Sequence, residues 1–105
     1  MREIERLAAY AVARLIESGF DVHLSWDEDG DASVIALWRG SGDAHGRFGI
    51  VEENSALNAY ALIGYQGQAG GASKQFSVPA DEVDMNSFVV AMKAFRADPS
   101  RVPSI

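Results

Sequence analysis

Three aspartates alternate through Asp27-Glu28-Asp29-Gly30-Asp31, and alternating carboxylates beside a glycine are what an oxygen-ligated cation needs. A calcium loop of the EF-hand type needs more. It carries a ligand at its first position and a closing glutamate at its twelfth, so that six or more oxygens surround the ion. With Gly30 set on the invariant glycine, the first position is Ser25 and the twelfth is Ala36. Both key ligands are missing, and the flanks alternate as strands do. The expectation is a solvated acidic turn or a docking tip, with no metal. Clustered carboxylates repel one another, and a partner's Lys or Arg would relieve that repulsion.

Asp43, His45 and Arg47 also alternate, beside a glycine-rich loop. A histidine can act as a general base, but no nucleophile or orienting group is identified with it. No serine sits in a nucleophile-elbow pattern. His23 falls on a separate strand pattern, and two histidines with scattered acids make no zinc signature. Gly67 to Lys74 has the look of a phosphate loop. A Walker motif, however, ends in Gly-Lys-Ser/Thr and leads into a helix, whereas Ser73-Lys74-Gln75 leads into a strand. No catalytic, cofactor-binding or metal-binding residue is therefore expected, no cofactor is implied, and the chain does not read as an enzyme.

The large amphipathic aromatics are Trp26, Trp38, Tyr60 and Tyr65. Such residues fill cores and also anchor interfaces. Trp26 is expected to be largely buried. Trp38, beside Arg39 and a flexible loop, is expected to be more exposed. The partner-binding set is then Asp27, Glu28, Asp29 and Asp31 at the tip, with Trp38 and Tyr60.

These residues need elements to hold them. Residues 2–18 form an amphipathic helix pattern, with Ile4, Leu7, Ala8, Ala11, Val12 and Leu15 at three- and four-residue spacing. Gly19 is placed to end it, with Phe20 packing back on the last turn. Ile16 and Tyr10 lie off the stripe. Asp21 to Trp38 then reads as a β-hairpin. Asp29-Gly30 suits a two-residue type I′ turn, which would pair Glu28 with Asp31, Trp26 with Ser33, Leu24 with Ile35 and Val22 with Leu37. One face, the expected core, would carry Val22, Leu24, Trp26, Ile35 and Leu37. The other would carry His23, Ser25, Val34, Ala36 and Trp38.

Residues 39–46 read as a loop. Residues 47–52 read as a third strand with Phe48 and Ile50 on one face, and Glu53-Asn54-Ser55 as a turn. Leu57 to Tyr65 alternates as a fourth strand, with a short helix after Asn54-Ser55 as the rival reading. Residues 66–73 form a second flexible loop, and Lys74 to Val78 a fifth strand stopped by Pro79. A final helix, capped by Asp84 or Asn86, runs through Asp98 and buries Met85, Phe88, Val89, Met92 and Phe95.

The expected fold is α+β in two layers: an N-terminal helix, an antiparallel sheet of about five strands and a C-terminal helix, with both helices on one sheet face. Residues 1–98 form one domain and 99–105 a loose tail. His23, Ser25, Trp38 and Tyr60 are candidates for the uncovered face.

The 105-residue chain has a net charge of −6 and no cysteine. Asp21, Asp27, Glu28, Asp29 and Asp31 carry nearly all of it, because residues 20–31 contain no Lys or Arg. Direct nucleic-acid binding, which needs a basic footprint, is not expected. Nor is a disulfide or thiolate metal site. The first helix pattern is charged throughout and Phe88 to Met92 is too short to span a bilayer, so neither a leader nor a membrane role is expected, and the compartment expected is the cytoplasm.

The leading expectation is a small acidic, non-catalytic protein-binding module that occupies a basic or nucleic-acid-binding site on a partner protein. Phage inhibitors of host defence and immunity proteins share this order of elements and this acidity, an analogy of fold and charge alone. A second is a homodimeric chaperone or scaffold of the secretion-chaperone type. A third is a small ligand-binding domain or enzyme with its site near His45 and residues 66–73.

Overall fold

Ile4, Leu7, Ala8, Ala11 and Leu15 form the buried stripe of α1 (Glu3–Glu17) in the computed structural model, which describes residues 2–66, 71–77 and 80–103. The stop at Gly19 has a mechanism. Gly19 takes φ +88°, its N–H donates to the Ile16 carbonyl, and the Phe20 N–H donates to the Leu15 carbonyl at 3.1 Å. This is a Schellman ending, and it turns Phe20 into the core.

Five strands follow: β1 (Asp21–Trp26), β2 (Ala32–Leu37), β3 (Ala44–Glu53), β4 (Ala56–Tyr65) and β5 (Ala72–Phe76), then α2 (Glu82–Ala97). They pair antiparallel in the order β1-β2-β3-β4-β5, a simple meander. The expected α+β architecture is thus the one observed. No described helix is long and apolar enough to cross a membrane. Residues 56–62 are strand, not helix, and Ser55 belongs to the turn before them.

The hairpin register differs from expectation by one residue. Trp26 pairs with Ala32, Leu24 with Val34 and Val22 with Ala36. A type I′ turn needs positive φ at both central residues. At this tip Gly30 adopts it, at +84°, and Asp29 does not. The Gly30 N–H instead donates to the Asp27 carbonyl, and the Asp27 N–H to the Asp31 carbonyl. The loop is wider by one residue, so the faces of β2 exchange. Val34 and Ala36 face the helices and are fully buried, while Ile35 and Leu37 turn to the other side. The two-residue geometry occurs in the β3–β4 hairpin, where Asn54 and Ser55 have φ of 53° and 63° between Glu53 and Ala56.

Both helices lie on one face of the sheet, α1 over β1 to β3 and α2 over β3 and β4. Small residues let them approach. Ala32, Ala36, Ala59 and Ala61 are buried there, and Gly46 lies directly beneath the Met92 thioether. That contact explains why β3 begins at Ala44, inside the expected loop: the segment is held down by α2. α2 is capped by Asp81, whose carboxylate accepts from the Asp84 N–H at 3.0 Å, and not by Asp84 or Asn86. Its expected apolar face is buried throughout. β5 begins two residues earlier than expected, at Ala72, and Val78 and Pro79 lie outside the described residues, as do residues 67–70 of the second loop. After α2 the chain turns back: the Tyr65 hydroxyl donates to the Pro99 carbonyl and Val102 packs on the core.

Gly46→Ala should destabilise the fold by about 1–3 kcal/mol, because the new methyl group would overlap Met92. In a Met92→Ala background the same change should cost far less. Denaturant unfolding of the four-member cycle measures the coupling, and additive effects would rule the contact out as the constraint.

Candidate functional site

The acidic tip is organised by one carboxylate. Asp27 Oδ1 accepts from the amides of Asp29 and Asp31, each at 2.9 Å. Aspartate favours such turns because its short side chain reaches its own downstream backbone. Asp31 Oδ1 then accepts from the Glu52 N–H at 3.0 Å, which ties the tip to β3. Asp27, Asp29 and Asp31 bring carboxylate oxygens within 4.8 Å of one another, the one such acidic group among the described residues. Asp27 and Asp31 each have an oxygen engaged by backbone N–H groups, and three carboxylates fall short of the six to eight oxygens calcium takes. What the arrangement offers is negative charge held in a fixed shape. Asp27, Glu28 and Asp29 are exposed, and Asp31 is half-buried. The guanidinium of Arg2 reaches Gly30 from α1's start, so part of the tip's field is met within the chain.

The two tryptophans exchange their expected places. Trp38 is half-buried, with its ring edge-on to Phe20 at 6.3 Å and to Phe95 at 5.6 Å. It closes the gap between the exit of α1 and the end of α2. Trp26 is 43% exposed and Leu24 42%. Both side chains point toward the helix side, but β1 is the edge strand and projects past the cover that α1 provides. A meander leaves its first strand on an edge, so the order of elements held this signal. Burial of an aromatic residue was the wrong inference to draw from its type alone.

Tyr60 lies on the uncovered face as expected. Its ring covers Gly49, its direct partner across the β3–β4 pair, where any Cβ would collide with it. The Arg47 guanidinium stands 5.9 Å from the ring centroid, and Arg47 Nε donates to Ser33 Oγ at 2.8 Å. Tyr60, Arg47, Trp26, Asp27 and Asp31 all border one shallow depression of about 130 Å³. That is well below the roughly 300–1,000 Å³ of small-molecule pockets. The tip and Tyr60 are therefore brought together, and Trp38 is not with them.

His23, Asp43, His45, Arg47 and Gln66 line a neighbouring depression of about 410 Å³. The Asp43 carbonyl accepts from His45 Nδ1 at 3.1 Å and from the Gln66 N–H at 2.7 Å. Among the described residues no hydroxyl or thiol side chain lines the depression. A larger concavity of about 590 Å³, along Val83, Ser87, Val90 and Ala94 of α2, contains none of the partner-binding set named from the sequence.

Trp38→Ala should cost roughly 2–4 kcal/mol of stability through lost packing, and Trp26→Ala less than about 1 kcal/mol. Chemical denaturation of the two variants checks the assignment, and a neutral Trp38→Ala would contradict it.

Compared with known proteins, the chain finds no counterpart: no family model, no curated protein and no solved structure matches it.

Proposed function

We propose that this protein is a non-catalytic binding module that docks on a basic surface of another protein. One observation carries the reading: a tip of carboxylates held by backbone hydrogen bonds stands beside two exposed apolar side chains, Leu24 and Trp26, on an edge strand. Charge steers and orients an encounter, while buried aromatic area supplies affinity. Asp27, Glu28, Asp29 and Asp31 act as the electrostatic part, with Tyr60 and Trp26 at its border. A basic surface suited to this tip is also one suited to nucleic-acid phosphates, so occupation of a nucleic-acid site on the partner follows naturally. The cysteine-free composition fits a reducing compartment, and the cytoplasm is the place proposed.

The tip can be tested without breaking its shape. Asn and Gln keep the side-chain acceptors that Asp27 and Asp31 offer to backbone amides. The combined change Asp27→Asn, Glu28→Gln, Asp29→Asn and Asp31→Asn should leave the unfolding midpoint nearly unchanged. Proteins captured from lysate at low salt by the native chain should be basic, should be released at high salt, and should associate at least about tenfold more slowly with the variant. Equal capture and equal salt response by both forms would overturn the reading. Light scattering of the protein alone should give a monomer, and a stable dimer would favour a self-associating scaffold.

A further inference from the structure

The two edges of the sheet are built differently. β5 is five residues long and points Lys74 toward the helix side, where its ammonium lies 3.9 Å from the Asp84 carboxylate and 4.6 Å from the Phe76 ring centroid. An inward-pointing charge on a short edge strand is a device that discourages further pairing. Burial, with the Asp81 charge second, holds the Asp84 carboxyl above its ordinary range, and Lys74 opposes that shift. β1 has no such protection. On its helix side it carries Val22, Leu24 and Trp26, with Leu24 and Trp26 over two-fifths exposed. Helical spacing puts Ile16, 57% exposed, on the flank of α1 opposite the one where Arg6 and Arg14 meet α2. That flank is the one on the β1 side of the helix pair. The result is an apolar ledge at the sheet's edge, made by Leu24 and Trp26 where β1 extends past α1.

The backbone of β1 is also available. Asp27 and Asp31 form a hydrogen-bonded pair through the Asp27 N–H. Antiparallel alternation then directs the amides of Asp21, His23 and Ser25 toward β2, and those of Val22, Leu24 and Trp26 outward. Among the described residues no strand pairs with that outer edge.

Charge selects the occupant. A second copy laid antiparallel along β1 would set Asp21 of each chain against the acidic tip of the other. A parallel copy would set tip against tip. Both arrangements bring like charges together. From these observations we propose that β1 accepts an extended basic segment of a partner protein as a sixth strand, with the segment's apolar side chains on the Leu24–Trp26 ledge and its Lys or Arg residues beside Asp21 and the tip. This rests on the basic-partner reading above and adds its mode: strand addition, in which main-chain hydrogen bonds give affinity and alternate side chains give selectivity.

The probe is a peptide of alternating lysine and valine matched to the six residues of β1. Its comparison is the same peptide N-methylated at alternate residues, with equal charge but without the N–H groups of one edge. Amide exchange by NMR should show new protection at Val22, Leu24 and Trp26 and none across Ala72–Phe76. The methylated peptide should bind at least about tenfold more weakly. Leu24→Lys should weaken the unmethylated peptide similarly, and the neutralised tip should weaken both peptides. Equal binding of the two peptides, with shifts at the tip but no protection along β1, would overturn strand addition and leave the basic-partner reading standing. Protection of Val22, Leu24 and Trp26 in the protein alone, together with a dimer by light scattering, would overturn it in favour of a second copy. Binding of neither peptide would overturn both.

Discussion

Two helices must share one face of a five-stranded meander, and small side chains beneath them make this feasible. Gly46 under Met92, with Ala32, Ala36, Ala59 and Ala61 around it, brings the helix layer close enough for Phe88 to pack on Phe48 of the sheet, ring centroids 5.4 Å apart. Larger residues would lift the helices and open the core. The same contact holds the start of β3 in the sheet. It also places α2 over the centre of the sheet and α1 toward the β1 side, with the pair locked laterally by Arg6 on Glu82 and by Arg14 and Tyr10 on Asn86.

Functional exposure follows from that placement. The helix pair spans β1 to β4 but covers β1 incompletely, so apolar side chains that point the same way as the core still meet water at Leu24 and Trp26. The other consequence is on the reverse face, where no helix lies among the described residues. There Tyr60 lies flat over Gly49 and Arg47 reaches both Tyr60 and Ser33, so that face is ordered by its own side chains. The acidic tip joins the two regions. It is anchored to the sheet by Asp31 and the Glu52 amide, and approached from α1 by Arg2. A tip held at both sides presents its carboxylates in one arrangement, which lowers the ordering cost of meeting a partner.

Much of this was legible in the residues. The stripe from Ile4 to Leu15, the Gly19 stop, the alternation of β4 and the apolar face from Met85 to Phe95 are periodic signals, and period reports which side of an element is buried. Asp29-Gly30 was a correct sign of a turn and a misleading sign of its type. Asp27 offered its carboxylate to two downstream amides, and that local competition widened the loop by one residue. One residue sufficed to exchange the faces of β2. The Trp26 and Trp38 assignments failed for a related reason. Indole type is the same in both, and burial is set by neighbours distant in sequence: Phe20 and Phe95 for Trp38, and an open edge for Trp26.

The sequence by itself determined the element order, the two-layer class, the apolar face of each helix and the concentration of negative charge between Asp21 and Asp31. Each depends on local period, turn chemistry or composition, which neighbouring residues settle among themselves. Only the tertiary structure decided the hairpin register, the pairing of Gly46 with Met92, the convergence of Tyr60 with the acidic tip, and the contrast between an edge guarded by Lys74 and an edge left open at β1. These depend on which distant segments come within a few ångströms, and packing and hydrogen bonding between them are resolved only when the chain closes on itself.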